Sequence, residues 1–399
     1  MQYSDFAGER VSKFGVGAMR LPTLENGTID EEQVTRMVAY AAEHGVNYFD
    51  TAYPYHNCMS EVVLGRALKQ LPRDSYFLAT KYPGHQVAET YNPGEIFEEQ
   101  LRKCDVDHFD FYLLHNVCEK SFGVYTDPRW GIIDYFLEQR RAGRIHHLGF
   151  SSHALLPCLE EFLDRYGDEM EFAQIQMNYL DWTLQDGPAK YELLGKHGLD
   201  VVIMEPVRGG ALANLGEAAN ARLKALDPDR SIASWALRWQ LGTPAKVVLS
   251  GVSNMEQLVD NVATFTEAKP LTAEETEVLY QIAEGMKSSV PCTGCRYCCG
   301  ECPQELNIPQ LIKLANDARV ATSVNLRMTV DALPEGKRPS DCLGCRACEA
   351  MCPQNIPIPD VLAELVERLE NVPRWEDVCK QRDEAARKAR EAQAAGASE

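Results

Sequence analysis

The chain has 399 residues, 45% hydrophobic and 25% charged, which excludes wholesale disorder and a fibrous repeat and leaves room for more than one domain. Lys and Arg number 40 against 59 Asp and Glu, a net charge of −19, so neither nucleic-acid backbone nor an anionic membrane surface is an expected partner. No uninterrupted apolar run approaches the roughly 20 residues of a membrane helix, and MQYSDFAGERVSKFG lacks the apolar stretch of a signal peptide, so the expectation is a cytoplasmic protein.

Up to about residue 267, segments of strand character alternate with segments of helical periodicity. The expected strands are FGVGAM from Phe14, VNYFD ending at Asp50, YFLATK ending at Lys81 and FDFYLLH ending at His115. IHHLGFS ending at Ser151, FAQIQM ending at Met177, DVVIME ending at Glu205 and KVVLSG ending at Gly251 follow. Helical stretches lie between, such as the one from Asp30, a predicted N-cap, to a stop at Gly45. Eight alternating units point to an α/β fold, a closed parallel (β/α)8 TIM barrel, ahead of an open doubly wound sheet. A helical segment from Thr272, with no strand before it, is expected to close a barrel domain over residues 1–287.

Nine of the fourteen cysteines fall between Cys292 and Cys352, and in a long chain without an export signal such clustering points to metal. Cys292, Cys295, Cys298 and Cys302 recur at an offset of fifty as Cys342, Cys345, Cys348 and Cys352. Gly294 and Gly344, Arg296 and Arg346, Pro303 and Pro353, and Ile308 and Ile358 keep the same offset. Each half reads C-x2-C-x2-C-x3-C-P, the spacing in which three thiolates hold one cluster and the fourth ligates the other. Two 4Fe-4S clusters are therefore expected, one on Cys292, Cys295, Cys298 and Cys352, the second on Cys342, Cys345, Cys348 and Cys302. Structural zinc is the alternative, but zinc usually draws its ligands as two separated pairs. Cys299, whose counterpart is Glu349, is an alternative ligand or a free thiol. The segments IPQLIKLANDARVATSVNLRM and VLAELVERLE read as helix, giving a mostly α-helical module over 288–372, and 373–399 reads as a charged, solvated helical tail. This module resembles the helical dicluster ferredoxin modules of redox enzymes, which implies one-electron transfer.

Chemistry in (β/α)8 barrels sits at the C-terminal ends of the strands. Asp50, Lys81 and His115 end three successive strands and Tyr55 lies five residues beyond Asp50. Each has a bland explanation alone; together they converge on one barrel mouth. Through FGVGAMRLP, GVNYFDTAYPY, SEVVLGRALK, LATK, DFYLLH, LGFSSH, MEPVRGGAL and LSGVSNMEQLVDN, the chain resembles the aldo-keto reductase family over residues 10–267. The resemblance implies a catalytic tetrad of Asp50, Tyr55, Lys81 and His115. Tyr55 would protonate a carbonyl oxygen, Lys81 would lower the phenol's pKa, Asp50 would hold Lys81 charged, and a neutral His115 would orient the carbonyl.

The resemblance also implies a nicotinamide cofactor. Ser151, Ser152 and Gln176 correspond to its carboxamide contacts, with Gln174 on the same strand face, and Pro206, Gly209, Gly210 and Leu212 lie along the pyrophosphate. Ser250, Gly251, Ser253, Gln257 and Asn261 occupy the adenosine side. Ser152 stands where the family has Asn, and basic residues for the 2'-phosphate of NADPH are missing from SGVSNMEQLVDN, so NADPH and NADH both stay open. His146, His147 and His153, around the fifth strand with no carboxylate or cysteine in register, are expected to be structural. The expected function is nicotinamide-dependent reduction of a small carbonyl-type substrate, coupled to or accompanied by the two clusters. The alternative is an iron-sulfur electron-transfer protein whose barrel is a docking or sensing scaffold, with a ferredoxin or flavoprotein as electron partner. Nicotinamides give electrons in pairs and clusters take them singly, and no flavin site is visible to make the switch.

Overall fold

The structure is a computed structural model and describes residues 1–86, 88–184, 186–286, 290, 292, 297–352 and 356–396. It opens with a hairpin that the sequence reading did not anticipate, β1 (Tyr3–Phe6) paired antiparallel with β2 (Glu9–Ser12). Ala7 and Gly8 between them both have positive φ, 53° and 85°, the left-handed pair that a tight two-residue hairpin turn demands. Phe6 is fully buried, stacks on Phe111 at 4.5 Å and meets Phe172 edge-on at 5.2 Å, so the hairpin plugs the barrel interior.

All eight expected strands form. They are β3 (Phe14–Gly17), β4 (Tyr48–Asp50), β5 (Phe77–Tyr82), β6 (Phe109–Leu114), β7 (Ile145–Ser152), β8 (Phe172–Gln176), β9 (Asp200–Met204) and β10 (Val247–Gly251). Every neighbour is parallel, in the order β10-β3-β4-β5-β6-β7-β8-β9, and β10 pairs with β9, so the sheet closes rather than staying open. Near-continuous apolar runs such as FDFYLL suit strands buried on both faces. Gly149 is required inside β7 because a Cβ there would lie 2.5 Å from the Phe172 carbonyl oxygen. Tyr48, Ala79, Leu113 and Phe172 belong to the inner core, and the two-residue strand period carries that face on to Asp50, Lys81, His115 and Gln174.

One compact unit comprises Met1–Leu279 with Arg382–Glu399, the other Tyr280–Gln381. The division between these two units falls within the helix Ala273–Met286. Thr272 and Glu275 exchange reciprocal hydrogen bonds at that helix's start, of 3.2 and 2.8 Å, forming a capping box.

In the second unit the sequence repeat is also a repeat of structure. Helices Tyr297–Gly300 and Ala347–Ala350, and Ile308–Val320 and Ile358–Glu370, match at an offset of fifty. The two longer helices pack together over Leu311, Ile312 and Ala315 from one half and Val361, Leu362 and Leu365 from the other. The segment after Ile308 is not one helix, as its periodicity suggests. The backbone extends at Ala321, and Ser323 starts a second helix, Val324–Asp331, by accepting a hydrogen bond from the Leu326 N–H at 3.1 Å. No helix among the described residues is long and apolar enough to cross a membrane.

Candidate functional site

At the C-terminal mouth of the barrel, Lys81 Nζ donates to Asp50 Oδ1 and to the Thr51 carbonyl, both at 2.6 Å, with the two side chains 0% and 4% exposed. Asp50 Oδ2 is buried with no hydrogen-bond partner among the described residues. The Lys81 ammonium lies 5.1 Å from the centre of the Tyr55 ring, and Tyr55 meets His115 edge-on with ring centres 5.7 Å apart. The structure thus brings these four residues to one mouth.

Burial, then Asp50 and Glu205, push the Tyr55 phenol well above its ordinary range, against an opposing pull from Arg382 and Arg20. The sequence reading expects the reverse, a phenol acidified by Lys81. The difference arises because Lys81 turns its ammonium onto Asp50 and Thr51 and offers the tyrosine only a ring contact. Burial, then His85, Lys81 and His153, hold His115 well below its usual range, so the imidazole is neutral at neutral pH.

Two further histidines join this mouth. His85, four residues past Lys81, sits with its ring centre 4.3 Å from that of His115 and is pushed down to about 3, first by burial. His153, just beyond β7, hydrogen-bonds the Gln176 side chain and is pushed down to about 4, again first by burial. His85 carried no sequence signal, and His153 was expected to be structural. His146 and His147 do have carboxylate neighbours, contrary to expectation: His147 Nδ1 is 2.7 Å from Glu171 and His146 Nδ1 3.7 Å from Asp110. Both carboxylates come from adjacent strands or their entry loops, a pairing that only the barrel register creates. His108, Asp110 and His146 cluster as three potential ligands. However, the Arg73 guanidinium is 2.7 Å from Asp110 and 3.0 Å from His108, and the two imidazoles stack at 23°, which points their lone pairs alongside one another rather than at a common ion.

The residues expected around a nicotinamide are largely engaged within the protein. Ser151 Oγ accepts from the Asn116 N–H at 2.8 Å. Ser152 Oγ donates to the Val117 carbonyl at 2.7 Å and accepts from the Ala154 N–H at 3.0 Å. Gln176 Nε2 donates to Asp181 at 2.8 Å, and Asn178 and Arg208 approach the same carboxylate at 2.6 and 3.2 Å. The acceptors left over are Gln174 Oε1 and Asn116 Oδ1, both buried with no hydrogen-bond partner among the described residues. A carboxamide N–H entering the mouth fits such an orphaned oxygen.

Across the barrel, Glu205 and Arg208 have φ of 57° and 47°, and Gly209 and Gly210 continue the left-handed run at 63° and 98°, between the buried Pro206 and Leu212. Arg20 crosses these glycines: a Cβ on Gly209 would lie 3.1 Å from its Nη2 and one on Gly251 3.2 Å from its stem, while its guanidinium is 3.5 Å from Glu205. That cation beside the expected pyrophosphate path went unnoticed in the sequence. Ser253 Oγ donates to the Arg20 carbonyl at 3.0 Å and its N–H to Gln257 at 2.8 Å, and Asn261 donates to Ser250 Oγ at 3.1 Å.

In the helical unit, one cavity is lined by Cys302, Cys342, Cys345 and Cys348 together with Leu343 and Leu362. Those four are the cysteines expected for the second cluster. Burial, then Cys342, Cys302 and Cys345, push the Cys348 thiol up to about 11, and four cysteine sulfurs around one cavity are the donor set that suits an iron-sulfur cluster. Of the other set, Cys298 is buried and Cys292 and Cys352 half-buried against the same core, and Cys295 lies outside the described residues. Cys299 hydrogen-bonds Cys298.

An eight-stranded barrel with an ion pair, a phenol and an imidazole at its mouth, followed by a thiol-lined helical module, defines an oxidoreductase. Residues 13–284 match the Aldo/keto reductase family, and residues 291–356 match the 4Fe-4S dicluster domain. The chain belongs to the aldo-keto reductase family and carries a 4Fe-4S domain at its C-terminal side. A probable aldo-keto reductase 1 of Glycine max is 26% identical over 290 residues, covering 66% of this chain and 80% of that protein. An NADH-specific methylglyoxal reductase of Escherichia coli is 24% identical over 306 residues, covering 66% and 91%. Among solved structures, the holo form of the aldo-keto reductase AKR11C1 from Bacillus halodurans is 28% identical with a TM-score of 0.58, covering 71% of this chain and 96% of that one. An aldo-keto reductase from Klebsiella pneumoniae in complex with NADPH, 20% identical with a TM-score of 0.53 and covering 71% and 94%, shares the fold.

Proposed function

We propose that the barrel reduces a small carbonyl-type compound with a nicotinamide cofactor, and that the helical module carries two 4Fe-4S clusters. The convergence of Asp50, Tyr55, Lys81 and His115 on one mouth carries this reading. Tyr55, kept protonated at neutral pH, donates its proton to the carbonyl oxygen. His115, kept neutral, orients that oxygen by a hydrogen bond and stabilises its developing charge. Asp50 opposes the discharge of Lys81 that burial favours, and holds the ammonium in place 5.1 Å from the centre of the Tyr55 ring. Nicotinamide, when bound, supplies the hydride. Gln174 Oε1 would receive the carboxamide N–H, and Arg20 would meet the pyrophosphate beside Gly209, Gly210 and Gly251. By their names, the Escherichia coli relative uses NADH and the Klebsiella structure holds NADPH, so either cofactor is compatible with the family.

Cys302, Cys342, Cys345 and Cys348 hold one cluster, and Cys292, Cys295, Cys298 and Cys352 the other. Such clusters pass single electrons, here to or from a ferredoxin-type or flavoprotein partner. Tyr55→Phe tests the barrel assignment: kcat for carbonyl reduction should fall about 10²- to 10⁴-fold, the range of a lost general acid, and unchanged turnover overturns it. The engagement of Ser152 and Gln176 inside the protein favours a second reading, an electron-transfer protein with the barrel as a docking scaffold. Micromolar binding of NADH or NADPH discards that reading; failure of both to bind at millimolar concentration supports it.

A further inference from the structure

Immediately after Tyr55, three consecutive residues other than glycine, His56, Asn57 and Cys58, have φ of 49°, 54° and 67°. A residue with a Cβ is disfavoured in this left-handed region, and such a run persists only where its surroundings over-determine it. Here the half-buried His56 ring does much of that. The Leu21 N–H donates to His56 Nε2 at 3.0 Å. A ring nitrogen that accepts carries no proton, so the other nitrogen is the one that donates to the Met19 carbonyl. Burial holds the imidazole below its ordinary range, which keeps it neutral and fit for both bonds. The Met59 N–H donates to the His56 carbonyl at 3.1 Å and the Ser60 N–H to the Tyr55 carbonyl at 3.2 Å, which closes the run. Ser60 Oγ in turn donates to the Ala18 carbonyl at 2.9 Å.

What His56 and Ser60 grip is the short turn Ala18–Arg20 that follows β3, together with Leu21 beyond it. The same turn is fastened on its other side. Ser253 Oγ donates to the Arg20 carbonyl at 3.0 Å, and the Arg20 side chain runs past Gly251 and Gly209, glycines of the expected dinucleotide path. Strand order makes the double attachment possible, because β3 stands between β10, which ends at Gly251, and β4, which leads into Tyr55. One turn thus borders the dinucleotide path on one side and, through a single imidazole, the segment that begins at Tyr55 on the other.

We propose that His56 is a positioning residue that ties the Arg20 turn to Tyr55, so that a dinucleotide lying along Arg20 and the phenol facing the carbonyl are set in one register. This rests on the reductase reading above and adds a residue to it. His56 transfers neither hydride nor proton; it acts through where it holds Tyr55. An imidazole suits the task because its acceptor and donor are fixed on one rigid ring, which spans a carbonyl and an N–H two residues apart in the turn. Placement of this kind matters because a reacting group displaced by about an ångström loses much of its rate advantage.

The test uses the full chain with its iron. Reduction of butane-2,3-dione, a small carbonyl probe, is measured with NADPH or NADH, whichever binds more tightly, and the affinity for that nicotinamide is measured by calorimetry. His56→Ala should lower kcat about 10- to 100-fold with little change in KM for the dione, and should weaken the nicotinamide about 3- to 30-fold. His56→Gln, whose amide offers an acceptor and a donor at similar reach, should recover most of both. In a Tyr55→Phe background, His56→Ala should lower kcat by less than about threefold more, since the group it places is gone. Losses in kcat that multiply across the two substitutions, or a loss of stability with kcat and nicotinamide affinity unchanged, overturn the proposal. If the wild type does not reduce the dione, or Tyr55→Phe leaves turnover intact, the reductase reading falls. The tie is then decided by nicotinamide affinity alone: it stands where His56→Ala weakens binding and His56→Gln restores it, and is overturned where they do not.

Discussion

Lys81 and Asp50 form a fully desolvated ion pair, 2.6 Å apart, on neighbouring strands at the barrel mouth. Removing one member strands the other. Lys81→Met leaves the Asp50 carboxylate buried without its cation, and Asp50→Asn leaves the ammonium without its anion. Each should cost about 3–5 kcal/mol of stability, whereas the double variant Asp50→Asn with Lys81→Met should recover at least half of that loss. Urea unfolding followed by tryptophan fluorescence reads the difference, since Trp235 is wholly buried in the barrel unit. Single variants within about 1 kcal/mol of wild type would mean the pair is hydrated in solution.

The histidines at the mouth predict an acid-sensitive barrel. An unfolded imidazole takes up a proton near 6.5, whereas in the folded chain burial holds His85 down to about 3 and His153 to about 4. The stability gained by keeping them neutral is therefore fully present above about 6.5 and is lost as pH falls from there toward 4 and then 3. Over that window each such histidine steepens the fall in unfolding free energy by about 1.4 kcal/mol per pH unit. His85→Gln should flatten the slope by roughly one proton's worth between about pH 6 and 4.5. An unaltered slope would show that His85 is protonated in the native protein.

Catalysis should have the opposite tolerance. Tyr55 is held protonated well above 10.0 and His115 neutral well below 6.5, so the two groups keep their working states across the whole neutral range. The rate of carbonyl reduction under saturating conditions should stay within about threefold from roughly pH 6 to 9, since neither group titrates there. A bell-shaped profile centred near neutrality would place the acid elsewhere.

The strands were legible because each is an apolar run ended by a polar residue, and the meeting of Asp50, Lys81 and His115 at one mouth because they occupy or follow those ends. The hairpin Tyr3–Ser12 was not, because a short alternating segment acquires its meaning only when Phe6 finds Phe111 and Phe172. His85 escaped for a related reason: it comes from a loop, and only closure of the barrel brings its ring to His115. The break at Ala321–Ser323 was hidden because apolar spacing continues through it, while the Ser323 cap acts locally. In the cysteine module little was hidden, since a repeat of fifty in sequence reappears as a repeat of fifty in helices.

Cys298 and Cys299 are adjacent, but only Cys298 is buried and in register with Cys348. After anaerobic reconstitution, Cys299→Ser should retain the full iron complement. Cys298→Ser should lose about half the iron or convert one cluster to a three-iron form, as expected when one of four thiolate ligands is removed. Iron analysis with electron paramagnetic resonance distinguishes the two, and the reverse pattern would transfer the ligand role to Cys299.

Whether the barrel and the module share electrons is decided by an anaerobic titration of the iron-replete chain with NADPH and then NADH, following nicotinamide and cluster absorbance together. The expected outcome is nicotinamide binding without cluster bleaching. A hydride carries two electrons, each cluster accepts one, and no flavin-type carrier is recognisable among the motifs of either half to divide the pair. Addition of a flavoprotein or ferredoxin partner should then produce the bleaching that nicotinamide alone does not. Direct bleaching by NADPH or NADH would mean that the chain splits electron pairs unaided, and would require a one-electron intermediary within the barrel itself.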